Sequence, residues 1–275
     1  SEVEAVWGPG LPAEPGRDTA AILEAAARRE LEVLYLVGVD PLSDFPDADL
    51  ARRALVNVPL LVVQDIALGE YREVADVALP AAAFLEKEGH VTDWEGRGQR
   101  IAPVRGPVGL SRPDWQIFQE LSEVLGADMG FGSLEALHRE MGDLLALREV
   151  PATAGSSRRE EEAEGLVLFT YQLLVDEGRL SVDAEELMEA LGEDAFVEVH
   201  PEEAGRLGLE DGSAAEIRTD AGRAELPVRI SDGVVPGAAF VPWNQRGLRA
   251  NTLLRGSLRI AAEIEPAGAR EEVAS

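Results

Sequence analysis

The sequence predicts an α/β protein: a partial doubly wound parallel sheet followed by a β-rich barrel. Three observations predict it. Residues 18–80 alternate between amphipathic helices and short apolar strands, the pattern of a parallel sheet joined by helical crossovers. From about residue 165 to 270 the chain turns into short strands separated by Gly-rich turns. No apolar run reaches the ~18–20 residues of a membrane helix. The domain division expected is 1–149 for the α/β part, 150–165 for a linker and 166–275 for the barrel.

The elements follow in order. "DTAAILEAAARRE", 18–30, puts Ile22, Leu23 and Ala26 on one helical face, with Asp18 or Thr19 able to cap it. "LEVLYLVG", 31–38, reads as a buried strand. Asp47 caps a helix running to about Val58, and "PLLVVQD", 59–65, is a second strand. "GEYREVA" is a short helix, and "DVALP", 76–80, is a third strand, also read as buried and stopped by Pro80. In such sheets ligands sit beyond the carboxyl ends of the strands, here Gly38 to Pro41, Gln64 and Asp65, and Leu79 and Pro80. "RPDWQIFQELSEVLG" is an amphipathic helix presenting Trp115, Phe118, Leu121 and Leu125, and "SLEALHREMGDLLAL" is another. "VPATAGSSRREEEAEG", 150–165, is small, polar and charged, as a linker should be. Beyond it, "GLVLFTYQLLV", "AFVEVH", "SAAEIRT", "RAELPVRI", "GAAFVPW" and "SLRIAAEI" read as strands.

Composition excludes several functions. The chain has 275 residues, 45% of them hydrophobic, which suffices for a sizeable core. It has no cysteine, so disulfides, Cys-ligated zinc, iron–sulfur clusters and thiol nucleophiles are excluded from this sequence. The formal charge of −27 repels nucleic acid and anionic membranes. Neither partner is expected, nor is direct membrane insertion. "SEVEAVWGPG" has no basic region leading into an apolar core, so no secretory signal is expected. Of the 25 basic residues only Lys87 is a lysine. That bias fits a GC-rich genome as well as it fits a use for guanidinium.

Motifs are sparse. No GxSxG elbow, P-loop or GxGxxG occurs. His90, His138 and His200 lie far apart and form no HxxxH or HxH pair, so no metal site is expected. His138 reads as a solvated or core-edge residue on its helix, and His200 as structural. The acidic runs on the helices and in the linker read as solvated charge. What stands out is "EKEGHVTDWEGRGQR", where Glu86, Lys87, Glu88, Asp93, Glu95, Arg97 and Arg100 crowd together with Gly89, Gly96 and Gly98. From chemistry alone two readings are open: a loop pinned by its own ion pairs, or a loop that holds an anionic cofactor. Ion-pair networks commonly have no function, which favours the first.

The stretch "ADVALPAAAFLEKEGHVTDWEGRGQRI" resembles the motif of the molybdopterin oxidoreductase superfamily. The matching residues are Ala75, Asp76, Leu79, Pro80, Glu86, Gly89, Glu95, Gly96, Arg97 and Gln99. "LYLVGVDPLSDFPD" is similar to the family's strand-then-G-x-N/D-P element, and Val62 to Asp65 to its next strand. The region from "HPEEAGRLGLEDGS" through "VVPGAAFVPW" and on to "ANTLL" is like the family's final double-psi-like barrel. Within the superfamily, "EKEG", "DWEGRGQR" and "PWNQRGLRANTLL" look most like the large iron–sulfur subunit of bacterial NADH-quinone oxidoreductase, respiratory complex I. The likeness runs from about 18 to 268.

The resemblance implies a C-terminal scaffold segment of a subunit that passes electrons from NADH towards quinone. It implies iron–sulfur clusters in the parent subunit but no cofactor, no redox centre and no catalytic residue in this segment. Partners would be other peripheral-arm subunits, at the cytoplasmic face of the cell membrane. It also implies a cofactor groove, now vestigial, lined by Gly38, Asp40, Asp65, Glu95, Gly96, Arg97, Gln99 and Asn251. Structural roles would fall to Glu86, Gly89, Trp94 and Arg100. Arg97 and Arg100 are expected to brace Glu86, Glu88 or Glu95. Gly89 and Gly96 are expected to take unusual dihedrals, and Trp94 to plug the groove or pack on the barrel. The sequence departs from the cofactor-binding pattern at "IALGEY", and at His90 and Asp93, where Thr and Asn are more usual; an acid in a phosphate groove repels its ligand. The alternative is the C-terminal half of an active molybdenum oxidoreductase, of formate dehydrogenase or nitrate reductase type, binding a molybdopterin guanine dinucleotide. A third reading is a free-standing nucleotide-binding or adaptor module.

Overall fold

A computed structural model describes residues 2–145, 165–178, 181 and 184–268. The expected linker therefore lies outside the described residues except for Gly165. In chain order the elements are α1 (Glu2–Trp7), α2 (Thr19–Ala27), β1 (Val33–Val37), α3 (Pro41–Asp44), α4 (Ala48–Asn57), β2 (Leu60–Asp65), β3 (Val77–Pro80), β4 (Gly89–Thr92), β5 (Gly98–Ile101), α5 (Asp114–Val124) and α6 (Leu134–Leu145). Then come β6 (Leu166–Tyr171), α7 (Glu185–Leu191), β7 (Val197–Val199), α8 (Pro201–Leu207), β8 (Ala214–Arg218), β9 (Arg223–Ile230), β10 (Ala238–Pro242) and β11 (Arg259–Pro266). Single 3-10 turns cover Gly69–Glu73, Phe84–Glu86 and Ala250–Leu253.

The described residues form two compact units. The first takes those up to Ile22, Leu31–Gly38, and those from Val58 to the first undescribed stretch. The second takes Leu23–Glu30, Val39–Asn57 and those from residue 165 onward.

The first unit holds a parallel sheet in the order β1-β2-β3. Its register runs Val33 opposite Leu60 through Val37 opposite Gln64, then Val62 opposite Val77 through Asp65 opposite Pro80. Leu34, Leu36, Leu61 and Val63 supply its buried apolar side chains. The strand order never reverses, so the described sheet has no switch point, the place where open α/β sheets form their ligand crevice. β3 is an edge strand, and Val77 is 40% exposed. That corrects the buried strand read from its apolar sequence: one neighbour covers one edge only. α5 sets Phe118 edge-on to Tyr35, ring centroids 6.2 Å apart. Its buried residues are Ile117, Gln119 and Ser122, whereas Leu125, expected on the core face, is 72% exposed. The Trp7 indole donates to Glu140 at 2.8 Å and links α1 to α6. Asp18 rather than Thr19 caps the start of α2, accepting from the Ala21 N–H.

In the second unit the segments flanking the strands are also locally capped. Asp47 accepts from the Leu50 N–H at the start of α4. The Asn57 amide donates to the Ala27 carbonyl at 2.7 Å, satisfying the end of α2.

The rest of this unit is a closed six-stranded barrel in the order β10-β6-β11-β8-β9-β7. β10 pairs parallel with β6 and β7 with β9; the other pairs are antiparallel. Alternation decides the lining: Leu166 and Leu168, Ala215 and Ile217, Leu226 and Val228, and Ala239 and Val241 share one buried cluster. β10 is buried on both faces, because its alternate residues Ala238 and Phe240 pack with Phe196 and Val234. All six barrel strands are those read from the sequence. α8 is not among the sequence expectations: Pro201 takes its first position, His200 Nδ1 accepts from the Glu202 N–H, and Gly208 ends it. His200, expected to be structural, is this helix's N-cap.

Candidate functional site

The stretch read as a loop is a β-hairpin. Its strands β4 and β5 pair antiparallel, Gly89 opposite Ile101 through Thr92 opposite Gly98. The turn is built on Asp93. One of its carboxylate oxygens accepts from the N–H groups of Glu95 and Arg97, each at 2.9 Å, and the other accepts from Arg97 Nε at 2.9 Å. The Gly96 N–H donates to the Asp93 carbonyl, and the Asp93 N–H to the Arg97 carbonyl. Gly96 sits at φ +82°, a region its lack of Cβ opens. The Arg97 N–H, then its guanidinium, hold the Asp93 carboxyl below the ordinary carboxylate range.

The basic groups of this region close onto nearby acids. Arg97 also pairs with Glu95. Arg100 Nε donates to Glu88 at 2.9 Å. Glu86, whose side chain is buried, is held by Arg105 from outside the stretch, with Arg105 Nε 3.0 Å away. The Arg105 guanidinium lowers the Glu86 pKa. The Arg97 and Arg100 side chains are themselves 70% and 64% exposed, so these pairs lie at the surface. Gln99 is exposed on β5. Two expected roles are corrected here. Gly89 lies in β4 without a positive φ, because strand geometry needs none. Trp94 is 93% exposed and neither plugs nor packs, because the Asp93 turn points it outward. His90 meets His138 of α6 edge-on, centroids 5.1 Å apart, so His138 faces the hairpin instead of open solvent.

At the carboxyl end of the sheet, Gly38 has φ +60° and its N–H donates to the Gln64 carbonyl at 2.9 Å. Asp65 is buried and accepts from the Ile66 N–H. Beside them runs a polar chain only hinted at in the sequence. The Tyr35 hydroxyl bonds Gln64 Oε1, Gln64 Nε2 donates to Asp114 at 2.8 Å, and Lys87 pairs with Asp114. Gln64 is fully buried. Burial pushes the Asp114 carboxyl up, but the Lys87 and Gln64 donors outweigh it and the net shift is downward. Burial, then the Asp114 charge, push the Tyr35 hydroxyl up. Tyr35 and Asp114 were missed in the sequence; the one available signal was that Lys87 is the sole lysine.

In the second unit Asp40 precedes α3 and accepts from the Ser43 hydroxyl at 3.0 Å. The Asn251 amide donates to the carbonyls of Leu42 and Phe45 at 2.8 and 3.1 Å, fastening the Asp40 segment to the barrel. Asn251 belongs to a set of buried polar groups. Its Oδ1, Asn244 Nδ2, Gln245 Oε1 and Thr170 Oγ1 are buried with no hydrogen-bond partner. Asn244 holds φ +46°, a left-handed position for a non-glycine residue. Asn244, Gln245 and Thr170 were missed. Asn244 and Gln245 closely follow the all-buried β10, and that context is what sequence reading could have used. Among the described residues no group of three or more His, Asp or Glu could hold a metal, and no helix is long and apolar enough to cross a membrane.

These features divide against a pterin dinucleotide. The barrel's unpartnered amide, carbonyl and hydroxyl groups are of the kinds that pair with the donor-and-acceptor edge of a pterin or purine. The hairpin's arginines do not fit its diphosphate, because each already holds a carboxylate.

Comparison with known proteins follows the same two halves. Residues 8–124 match the family described as molybdopterin oxidoreductase, and 166–267 match the molydopterin dinucleotide binding domain. The NADH-quinone oxidoreductase G chain of Streptomyces coelicolor is 32% identical over 281 residues, covering 98% of this chain and 33% of that protein. The NADPH-Fe(3+) oxidoreductase subunit alpha of Geobacter sulfurreducens is 30% identical over 267 residues, covering 91% of this chain and 32% of that protein. The chain thus spans about a third of the length of these relatives. Acetylene hydratase from Pelobacter acetylenicus shares the fold, with a TM-score of 0.62 at 18% identity over 90% of this chain and 46% of that one. With both halves matched in order along the chain, a parallel sheet in the first and a closed barrel in the second, the chain belongs to the molybdopterin oxidoreductase superfamily.

Proposed function

We propose that these residues are the cofactor-fold scaffold of the large iron–sulfur component of an NADH-quinone oxidoreductase. The component passes electrons from NADH towards quinone through iron–sulfur centres outside this sequence, and this segment carries structure instead of redox chemistry. In this reading the α/β domain is assigned to 1–149 and the barrel domain to 166–275, although Leu23–Glu30 and Val39–Asn57 belong to the compact unit that holds the barrel. Its partners are other peripheral-arm subunits at the cytoplasmic face of the membrane. One observation carries the reading: Arg97, Arg100 and Arg105 are each closed onto Asp93 and Glu95, Glu88, or Glu86. A diphosphate would have to displace carboxylates already paired. The likeness to the Streptomyces NADH-quinone oxidoreductase over 98% of this chain supports the branch.

The test is chemical. The protein as purified from its cell is denatured and oxidised, then assayed for fluorescent pterin and for molybdenum and tungsten. The scaffold reading expects a blank in all three; pterin and metal at one per chain would overturn it. A second reading, a bound molybdopterin guanine dinucleotide in an active oxidoreductase, is favoured by the buried unpartnered groups of Thr170, Asn244, Gln245 and Asn251. In that case those residues would hold the organic part of the cofactor, which would supply the oxidation–reduction chemistry. The same assay separates the two.

A further inference from the structure

Trp94 is exposed over 93% of its surface at the tip of the β4–β5 hairpin. Nothing in its own turn covers the indole, yet the turn is held firmly. Asp93 receives two backbone N–H groups and one guanidinium, and the Gly96 N–H and the Arg97 carbonyl close the loop behind them. The hairpin is also held at its side by the contact between His90 and His138. A large aromatic on a braced tip is the form an interface anchor takes, since tryptophan dominates buried contact energy and a fixed tip loses little freedom on docking. Val91 of the same hairpin is 53% exposed as well.

We propose that this hairpin is a docking finger whose Trp94 enters an apolar slot with a basic rim on the polypeptide that the full-length relatives carry outside the span matched by this chain. The inference rests on the scaffold reading above. Length supports that occupant, because the chain covers only 33% of the Streptomyces relative. Charge supports the rim. The hairpin carries Glu88, Asp93 and Glu95 against Arg97 and Arg100, and the chain as a whole carries −27. A second copy, a nucleic acid or an anionic lipid surface would meet that charge with its own.

The experiment places the photo-crosslinking residue p-benzoylphenylalanine at position 94 in the protein as the cell makes it. After irradiation the complex is isolated and the crosslinked peptides are mapped. The expected partner peptide belongs to the same polypeptide, outside these 275 residues, and contains apolar residues flanked by Lys or Arg. A crosslink to a second copy, to another subunit or to lipid would overturn the proposal. So would a yield no greater than that from the same probe at Leu174, which is equally open to solvent. Asp93→Ala removes the brace but not the indole, and in this background the yield from position 94 should fall several-fold; an unchanged yield would remove the presentation argument. A thermal melt of each variant shows that the fold persists. The pterin and metal assay stands apart: a positive result there defeats the scaffold reading whatever position 94 contacts.

Discussion

Lys87→Met would isolate the polar chain at the carboxyl end of the sheet. Methionine keeps most of the apolar stem and removes the ammonium that pairs with Asp114. The two side chains are 31% and 32% exposed, so the pair lies between a surface bridge and a buried one. Exposed pairs contribute about 0–1 kcal/mol, whereas breaking a buried pair costs about 3–5 kcal/mol. A charge-assisted hydrogen bond contributes about 1.5–3 kcal/mol. About 2 kcal/mol is therefore expected at pH 7, a factor of roughly 30 in the folded-to-unfolded ratio. The sign with pH follows from Asp114, whose folded pKa is lowered because Lys87 and Gln64 outweigh burial. Its contribution is complete above the unfolded value of about 3.9 and is lost as pH falls through the lowered folded value. Without Lys87, burial is opposed only by Gln64 and the Asp114 backbone N–H, so the carboxyl is lowered less and the stability gap between the two proteins should narrow as pH falls from 7 to 3. Urea unfolding at pH 7 and pH 3, followed by tryptophan fluorescence, reads both effects. Arg53→Met provides the control, because its partner Asp49 is 76% exposed and the pair should contribute less than about 1 kcal/mol. A loss below about 0.5 kcal/mol for Lys87→Met, or the same loss at both pH values, would refute the argument, since such a pair would be acting as a surface bridge.

Three other substitutions test separate parts of the fold. Asn251→Ala strips the amide from the carbonyls of Leu42 and Phe45 and should cost about 2–4 kcal/mol in a thermal or urea melt, near the cost of two stranded carbonyls. Gly222→Ala would set a Cβ 2.5 Å from the Thr252 carbonyl oxygen, a backbone atom that cannot turn aside, and should destabilise by about 1–3 kcal/mol in the same melts. Asp93→Ala should speed amide exchange at Glu95 and Arg97. The wild-type turn should keep its protection above pH ~4 and lose it as pH falls through the lowered Asp93 value, so that the two proteins converge in acid.

What the sequence disclosed follows from the range of the forces involved. The barrel strands were legible because alternation and Gly turns act locally, and β6 to β11 lie where "LVLFTY" through "RIAAEI" placed them. β1, β2 and β3 were legible for the same reason, but the exposure of β3 was not: whether an apolar strand is central or at an edge depends on neighbours the local pattern does not specify. The hairpin was hidden because "GHVT" and "GQRI" are short and polar, and their pairing comes from the Asp93 turn instead of from apolar alternation. The ion pairs were half legible. Glycines and opposite charges announced a braced segment, but the partner of Glu86 is Arg105, beyond residues 86–100. Tyr35, Gln64, Lys87 and Asp114 meet only after the sheet forms, across sequence separations of up to 50 residues for one bond. No local pattern announces such a meeting.

The two units make opposite statements about a pterin dinucleotide, and that contrast can be measured. The hairpin has bound its own cations, so it offers little to a phosphate. The barrel retains buried amides with unused valence at Asn244, Gln245 and Asn251, which a neutral base could satisfy. If the scaffold reading holds, a diphosphate should add nothing to what a base contributes. Guanosine and guanosine diphosphate should then bind equally weakly, with Kd no tighter than about 1 mM, equivalent to about −4 kcal/mol. Neither should show a dependence on salt, since no free cation would be engaged. Titration calorimetry at low and moderate ionic strength reads both quantities. A diphosphate that binds about 100-fold tighter than the nucleoside, with affinity falling as salt rises and the gain lost in an Arg97→Gln, Arg100→Gln variant, would mean that about 2.7 kcal/mol comes from cations the structure shows as occupied. The arginine pairs would then be gates that open for an anion, and the segment would be a working cofactor site instead of a scaffold.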